Sequence, residues 1–226
     1  GHQEDISYSR VDGESSVSIG VKKRTGANIL QTSAKVPAAI ETMQDGFPAG
    51  VRMVVTADHA KYIQQGFDTM NNSAVTGLII VVIVLYFAMG FRNSIITSLS
   101  IPLSLLITFI LLKVFGQTNN NMVRFSLVLC IGLLVDNAII VVENVYHHYQ
   151  LGKERLAAVI DGVSEIAAPV VSATLTTMAA FLPILLMTGT TGEYMGFLPK
   201  TVTIALSASL IVSLVANPLL LSRFMK

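Results

Sequence analysis

Apolar and polar positions divide this chain in two. Residues 1–58 mix the two kinds, whereas residues 74–222 are overwhelmingly apolar. In the first part, "VSIGVKK" (17–23) has strand composition and "GANILQTSAKVPAAIETMQ" (26–44) reads as a helix. Leu30, Val36, Ile40 and Met43 lie roughly on one face of that helix, and Pro37 is placed to bend it. "VRMVVTAD" (51–58) is a second strand pattern, entered through the turn signal "DGFPAG". Strand, helix and strand predict one right-handed βαβ crossover. A unit of about sixty residues buries little surface alone, so it is expected to lean on partner strands from outside this chain.

The apolar part divides into five segments, each near the ~20 apolar residues that a membrane-spanning helix needs. They fall at about 72–90, 94–114, 122–146, 166–188 and 200–222. Pro102, Pro169, Pro183 and Pro218 fall within them, which membrane helices tolerate when neighbours satisfy the freed carbonyls. The fold class expected is therefore an all-α transmembrane bundle of five spans, residues 59–226. A small N-terminal α+β (βαβ) piece, residues 1–58, precedes it.

Charges at the span ends give an orientation. One side carries Arg92, Lys153, Arg155, Arg223 and Lys226; the other carries Lys113, Arg124 and Lys200. The excess of basic residues places the first side, with the C-terminus, in the cytoplasm and residues 1–58 outside. Between the third and fourth spans, Leu156, Val159, Ile160 and Val163 recur at helical spacing beside Lys153, Glu154 and Arg155. That pattern predicts a short amphipathic helix, about 150–164, lying at the cytoplasmic interface.

Composition agrees with a membrane protein. Of 226 residues, 52% are hydrophobic and 13% charged, and mean hydropathy is +0.65. Soluble domains average about 25% charged residues. A net charge of +1 argues against nucleic-acid binding. The single Cys130 can make no intrachain disulfide. No signal peptide is visible, and the leading Gly1-His2 is expected to be a cloning remnant.

One residue stands out inside the membrane. The third span contains "GLLVDNAIIVVEN" (132–144), which puts Asp136 near the bilayer midplane. A charged residue there costs about 2.5–3.5 kcal/mol on insertion scales and usually marks an ion or proton route. Low dielectric penalises the charged carboxylate, so reversible protonation is expected of Asp136. Glu143 follows two turns on, about 10 Å along the axis, close enough to the interface to be solvated. Asn137 and Asn144 repeat that spacing on the adjacent stripe, suited either to interhelical hydrogen bonding or to proton handling. Small residues recur every four positions in the fourth span (Ala168, Ser172, Thr176, Ala180) and the fifth (Ala205, Ser209, Ser213, Asn217). With Gly132, one turn before Asp136, they predict close helix packing. His147 and His148 read as a solvated interface pair. No phosphate loop, zinc spacing or second intramembrane aspartate appears, so neither enzyme chemistry, a cofactor nor a metal is expected.

Together these residues resemble the resistance-nodulation-division (RND) superfamily of proton-driven efflux permeases, in its drug-efflux branch. "GLLVDNAIIVVENV" is similar to the family's fourth-helix motif, whose Gly-x-x-x-Asp-Asp core carries the proton. The segment from Ser172 to Leu220 resembles its fifth and sixth helices, and "VKKRTGANILQTSAKV" the end of its periplasmic porter region. The resemblance implies a fragment covering that porter end and helices two to six of an inner-membrane transporter. It implies a homotrimer with a periplasmic adaptor and an outer-membrane channel. It also implies a second transmembrane half that supplies a lysine facing the acids. Asn137 stands where drug pumps have a second acid, leaving Asp136 as the carrier. The fragment alone is expected to be inactive. The alternatives are a non-transporting assembly module, with Asp136 as a structural pairing group, and a protein-export or lipid-transport relative.

Overall fold

The structure, a computed structural model, describes residues 9–24, 27–44, 46–48, 50–118 and 120–224, without the side chains of Gln44 and Arg92. Gly1, His2 and Lys226, the side chain of Arg92, and part of the "DGFPAG" turn, all used above, lie outside the described residues. The chain separates into two compact units, residues 1–66 and 67–226.

In the first unit, the helix Ile29–Gln44 forms as its pattern predicts and runs through Pro37. Asn28 starts it: its Oδ1 accepts from the backbone N–H of Leu30 (2.9 Å) and Gln31 (3.3 Å), satisfying donors that have no helical partner. A small hairpin pairs Arg10–Val11 with Glu14–Ser15. Its turn is Asp12-Gly13, with φ of +54° and +86°, the sign that a two-residue hairpin turn of the Asp-Gly kind requires. Residues 17–23 and 51–58, expected as strands, carry no ladder. Val17 is 90% exposed and Ile19 76%. Among the described residues of the unit, no second sheet layer covers their β-forming side chains. Asp58 begins the next helix, its Oδ1 accepting from Ala60 N–H (2.9 Å) and the Ser33 hydroxyl (2.9 Å).

Among the described residues, five helices are long and apolar enough to cross a membrane: His59–Phe91, Asn93–Val114, Asn121–Gln150, Arg155–Leu185 and Gly189–Phe224. They are called the first to fifth spans below. Between the first two, Gly90 takes φ +75°, ψ +169°, a conformation open only to glycine, and breaks the helical path. The third span starts on Asn120, whose Oδ1 accepts from Val123 N–H at 2.9 Å. It is the hub: 56% of its most apolar stretch is buried, against 6% for the first span and 11% for the fourth. Cys130 and Leu134 pack on Leu198, Val202, Ala205 and Leu206 of the fifth span. Val142 and Val145 pack on Ile96, Ala158, Val159 and Leu221, and Val135 on Leu85 and Ile101.

The amphipathic stretch expected at about 150–164 is not an element of its own. The third span ends at Gln150 in a turn with Gly152 at φ +87°, and the helix that starts at Arg155 runs unbroken to Leu185. The helix runs through Gly162 and Pro169 without interruption, so one helix carries both stretches. The fifth span contains a π-helical turn, Val212–Ala216, just before Pro218. A proline ring clashes with the carbonyl four residues earlier and lacks its own N–H. Widening the helix by one residue relieves both problems, which membrane helices commonly exploit.

Candidate functional site

The third span shows two different faces. Phe125, Leu129, Gly132, Asp136, Ile140, Glu143 and His147 form a single exposed stripe, repeating every three or four residues as one helix face must. Asn137, one position round from Asp136, is 6% exposed and points to the fourth span. Its Oδ1 accepts a hydrogen bond from Thr174 Oγ1 at 3.1 Å. The adjacent residues of "DN" therefore occupy different environments, one opening outward and one clamped within the bundle.

Asp136 opens onto a groove of about 360 Å³ between the third, fourth and fifth spans. Leu133 and Ile140 wall it along the third span, Ala173 and Thr177 along the fourth, and Leu206 closes it from the fifth. Among the described residues Asp136 has no hydrogen bond and no ion pair. The groove is thus a largely apolar surface that carries one carboxyl, Asp136, and two threonines, Thr174 and Thr177. That chemistry can accept and release a proton. Among the described residues no three His, Cys, Asp or Glu side chains cluster as metal ligands would.

The whole sequence, residues 1–226, matches the AcrB/AcrD/AcrF family. The chain belongs to this family of RND permeases. Among curated proteins it is similar to the Multidrug resistance protein MdtC of Yersinia enterocolitica, 28% identical over 216 residues. It is also similar to the Swarming motility protein SwrC of Bacillus subtilis, 36% identical over 220 residues, and to MdtC of Photorhabdus laumondii, 30% identical over 216 residues. Each match covers 95% of this chain and 21% of the relative. The chain therefore spans about one fifth of the length of these relatives.

In this RND permease segment, the remaining residues singled out by sequence fall into two groups. Ala205, Ser209, Ser213 and Asn217 of the fifth span are all buried, and the Ser209 hydroxyl donates to the Leu134 carbonyl of the third span at 2.8 Å. Asn144 joins them as a clasp, its Nδ2 donating to the Gly162 carbonyl at 2.8 Å. By contrast, Gly132 and the fourth-span series Ala168, Ser172, Thr176 and Ala180 are exposed. These do not pack within this chain. Small-residue spacing marks a face that admits close approach, not the partner that makes it. The fourth span packs instead through Ala158, Val159, Gly162, Val170 and Thr174. A Cβ on Gly162 would lie 2.8 Å from Val145 Cα.

His148 also differs from the solvated interface residue expected. Its Nε2 lies 2.7 Å from Glu165 Oε2 and its Nδ1 2.9 Å from Lys153 Nζ, which also meets Asp161 Oδ2 at 2.6 Å. With Lys153 donating to Nδ1, His148 is placed as the neutral Nε2–H tautomer donating to Glu165. Glu165 in turn receives Asn144 Nδ2 at 3.3 Å. This network ties the end of the third span to the start of the fourth. His148 at i and Glu165 in the next span carry no local spacing signal, so only the turn at Gly152 brings them together.

Proposed function

We propose that this chain is part of a proton-driven efflux permease of the inner membrane, in which Asp136 is the proton-carrying residue. The observation that carries the reading is the exposure of Asp136 on a membrane-depth groove with no partner among the described residues. A carboxyl facing lipid would cost about 2.5–3.5 kcal/mol, so such a face is suited to cover by further protein. A chain that spans 21% of its relatives' length leaves room for that protein. A second transmembrane half of the transporter would close the groove and set the affinity of Asp136 for its proton. Glu143, on the same exposed stripe, would be an accessory polar group nearer the interface.

In this reading residues 1–58 belong to a periplasmic porter subdomain, and the C-terminus lies in the cytoplasm. The complete protein acts as a trimer with an adaptor and an outer-membrane channel, and exports drug-like compounds by proton antiport. A proton crossing the full field gains about 2.3 kcal/mol per 100 mV. Protonation of Asp136 removes the charge that holds its partner, and the third span, as the hub, passes that change to its neighbours. Asn137 contributes by position: clamped to Thr174, it fixes the rotation of the helix that aims Asp136 into the groove.

The test is Asp136→Asn in the full-length transporter. The expected result is a normally inserted, normally assembled protein without efflux and without substrate-dependent proton uptake in proteoliposomes. Efflux that survives Asp136→Asn, together with an assembly defect in Asp136→Ala, would instead identify Asp136 as a structural pairing group.

A further inference from the structure

The second span carries a stripe of buried polar residues, Asn93, Thr97, Ser100, Ser104 and Thr108, and Ser100 of this stripe meets Asn217 of the fifth span. Some of these hydroxyls are satisfied by their own helix: Thr97 donates to the Asn93 carbonyl (2.8 Å) and Thr108 to that of Ser104 (2.7 Å). Five polar atoms on the two helices have no hydrogen-bond partner among the described residues, including Ser98 Oγ and Thr201 Oγ1. The other three, Ser104 Oγ, Ser213 Oγ and Asn217 Nδ2, lie near the Ser100–Asn217 contact.

Packing register puts these three at one level. Ile96 packs with Leu221, Ser100 Oγ lies 2.5 Å from Asn217 Oδ1, and Leu112 packs with Phe197 and Ile204. Positions that rise along the second span therefore fall along the fifth. One turn beyond Ser100 is Ser104, and one turn before Asn217 is Ser213, so the register brings these two to the same level. The same turn of the fifth span is π-helical, Val212–Ala216, with Asn217 N–H bonded to the Val212 carbonyl. A π turn widens the helix, and such turns concentrate at functional positions.

Lipid chains cannot satisfy polar groups at this depth. Ser213 and Asn217 are 0% exposed and Ser104 1%. Orphaned buried polar atoms are rare and are usually met by an ordered water, which makes about three hydrogen bonds. We propose that Ser104, Ser213 and Asn217 form an internal water-binding site that joins the second and fifth spans at the π turn. Asn217 Nδ2 donates to the water, which donates to the hydroxyl oxygens of Ser104 and Ser213. If the Asn217 amide is turned round, its oxygen accepts from the same water and the Ser100 hydroxyl turns to the Ile96 carbonyl, 3.3 Å away. The site is satisfied either way. It stands independently of the proton-carrying role of Asp136.

The test uses the full-length transporter in lipid nanodiscs, imaged at a resolution that shows buried waters elsewhere in the protein. A density peak within hydrogen-bond reach of Asn217 and both serines is expected, together with its loss and a lowered apparent Tm in Ser213→Ala. Ser213→Ala removes one methylene-bound hydroxyl and leaves the helix intact, so misfolding does not obscure the result. A wild-type map without the peak overturns the proposal. So does a Ser213→Ala protein as stable as wild type or more so, since deleting an unsatisfied hydroxyl relieves a dry site.

Discussion

Gly162→Ala tests how the third and fourth spans are held together. The new Cβ would sit 2.8 Å from Val145 Cα and 3.1 Å from both Val145 N and Cγ2. Non-bonded carbons are most stable at about 3.5–4.0 Å, so the helices must part by about 1 Å. Overpacking of this kind costs about 1–3 kcal/mol. Parting them also stretches the 2.8 Å bond from Asn144 Nδ2 to the Gly162 carbonyl, worth about 0.6 kcal/mol in a membrane protein. The expected destabilisation is about 2–4 kcal/mol. Denaturant titration of the full-length protein in detergent would measure it. Val145→Ala should not rescue the variant, because two of the three close atoms are backbone. Gly77→Ala is the control. Nothing lies within 4 Å of its added Cβ, and alanine's helix preference should make it neutral or favourable by up to about 1 kcal/mol. If Gly162→Ala unfolds within about 0.5 kcal/mol of wild type, the close approach of the two helices is not a constraint and the reasoning fails.

Other variants probe neighbouring features. Thr174→Val keeps the side-chain shape but leaves Asn137 without its donor; stability should fall by about 0.6–1.7 kcal/mol, and an unchanged midpoint in the same titration would dissociate Asn137 from the fourth span. Gly90→Ala forces a Cβ into a backbone conformation reserved for glycine and should cost about 1–3 kcal/mol, read as a lower apparent Tm of the full-length protein. A Tm equal to wild type would mean that the break between the first two spans adopts other geometry.

The spans were legible because apolar runs of membrane length need no partner to be recognised. Their ends were less so. The first span begins at His59 rather than near 72 because Asp58 caps it, and a cap acts before hydropathy rises. The segments flanking Ile29–Gln44 illustrate the opposite case: composition favours β structure, but a ladder needs a neighbouring strand, and among the described residues neither segment pairs with one. Asp136 stands out in the sequence by the cost of a carboxyl in an apolar span. The clamp between Asn137 and Thr174 does not, since its residues are 37 apart and only the packing of the two helices pairs them. The polar stripe of the second span was hidden in plain composition, for serine and threonine barely lower the hydropathy of a span.

The two exposed polar features of the bundle reinforce each other. Ala173 and Thr177 line the groove beside Asp136, and each is directly preceded on the fourth span by an exposed small residue, Ser172 and Thr176. Across the groove, Gly132 lies one turn from Asp136 on the exposed stripe. Bulky side chains would suit a face that meets only lipid. Glycine, alanine and serine suit a face where another backbone comes close, and a carboxyl at that depth suits one where water or a cation comes with it. Each feature alone is compatible with lipid at a modest cost. Their convergence on one groove is what favours an incoming protein surface, and it makes a specific demand of that surface. It must bring a backbone against Gly132 and Ser172 and a polar or cationic group to Asp136 at once. Replacing Gly132 by Leu should therefore block efflux as Asp136→Asn does, while leaving this chain's own packing untouched. Retained efflux in Gly132→Leu would show that nothing approaches the third span closely at that level.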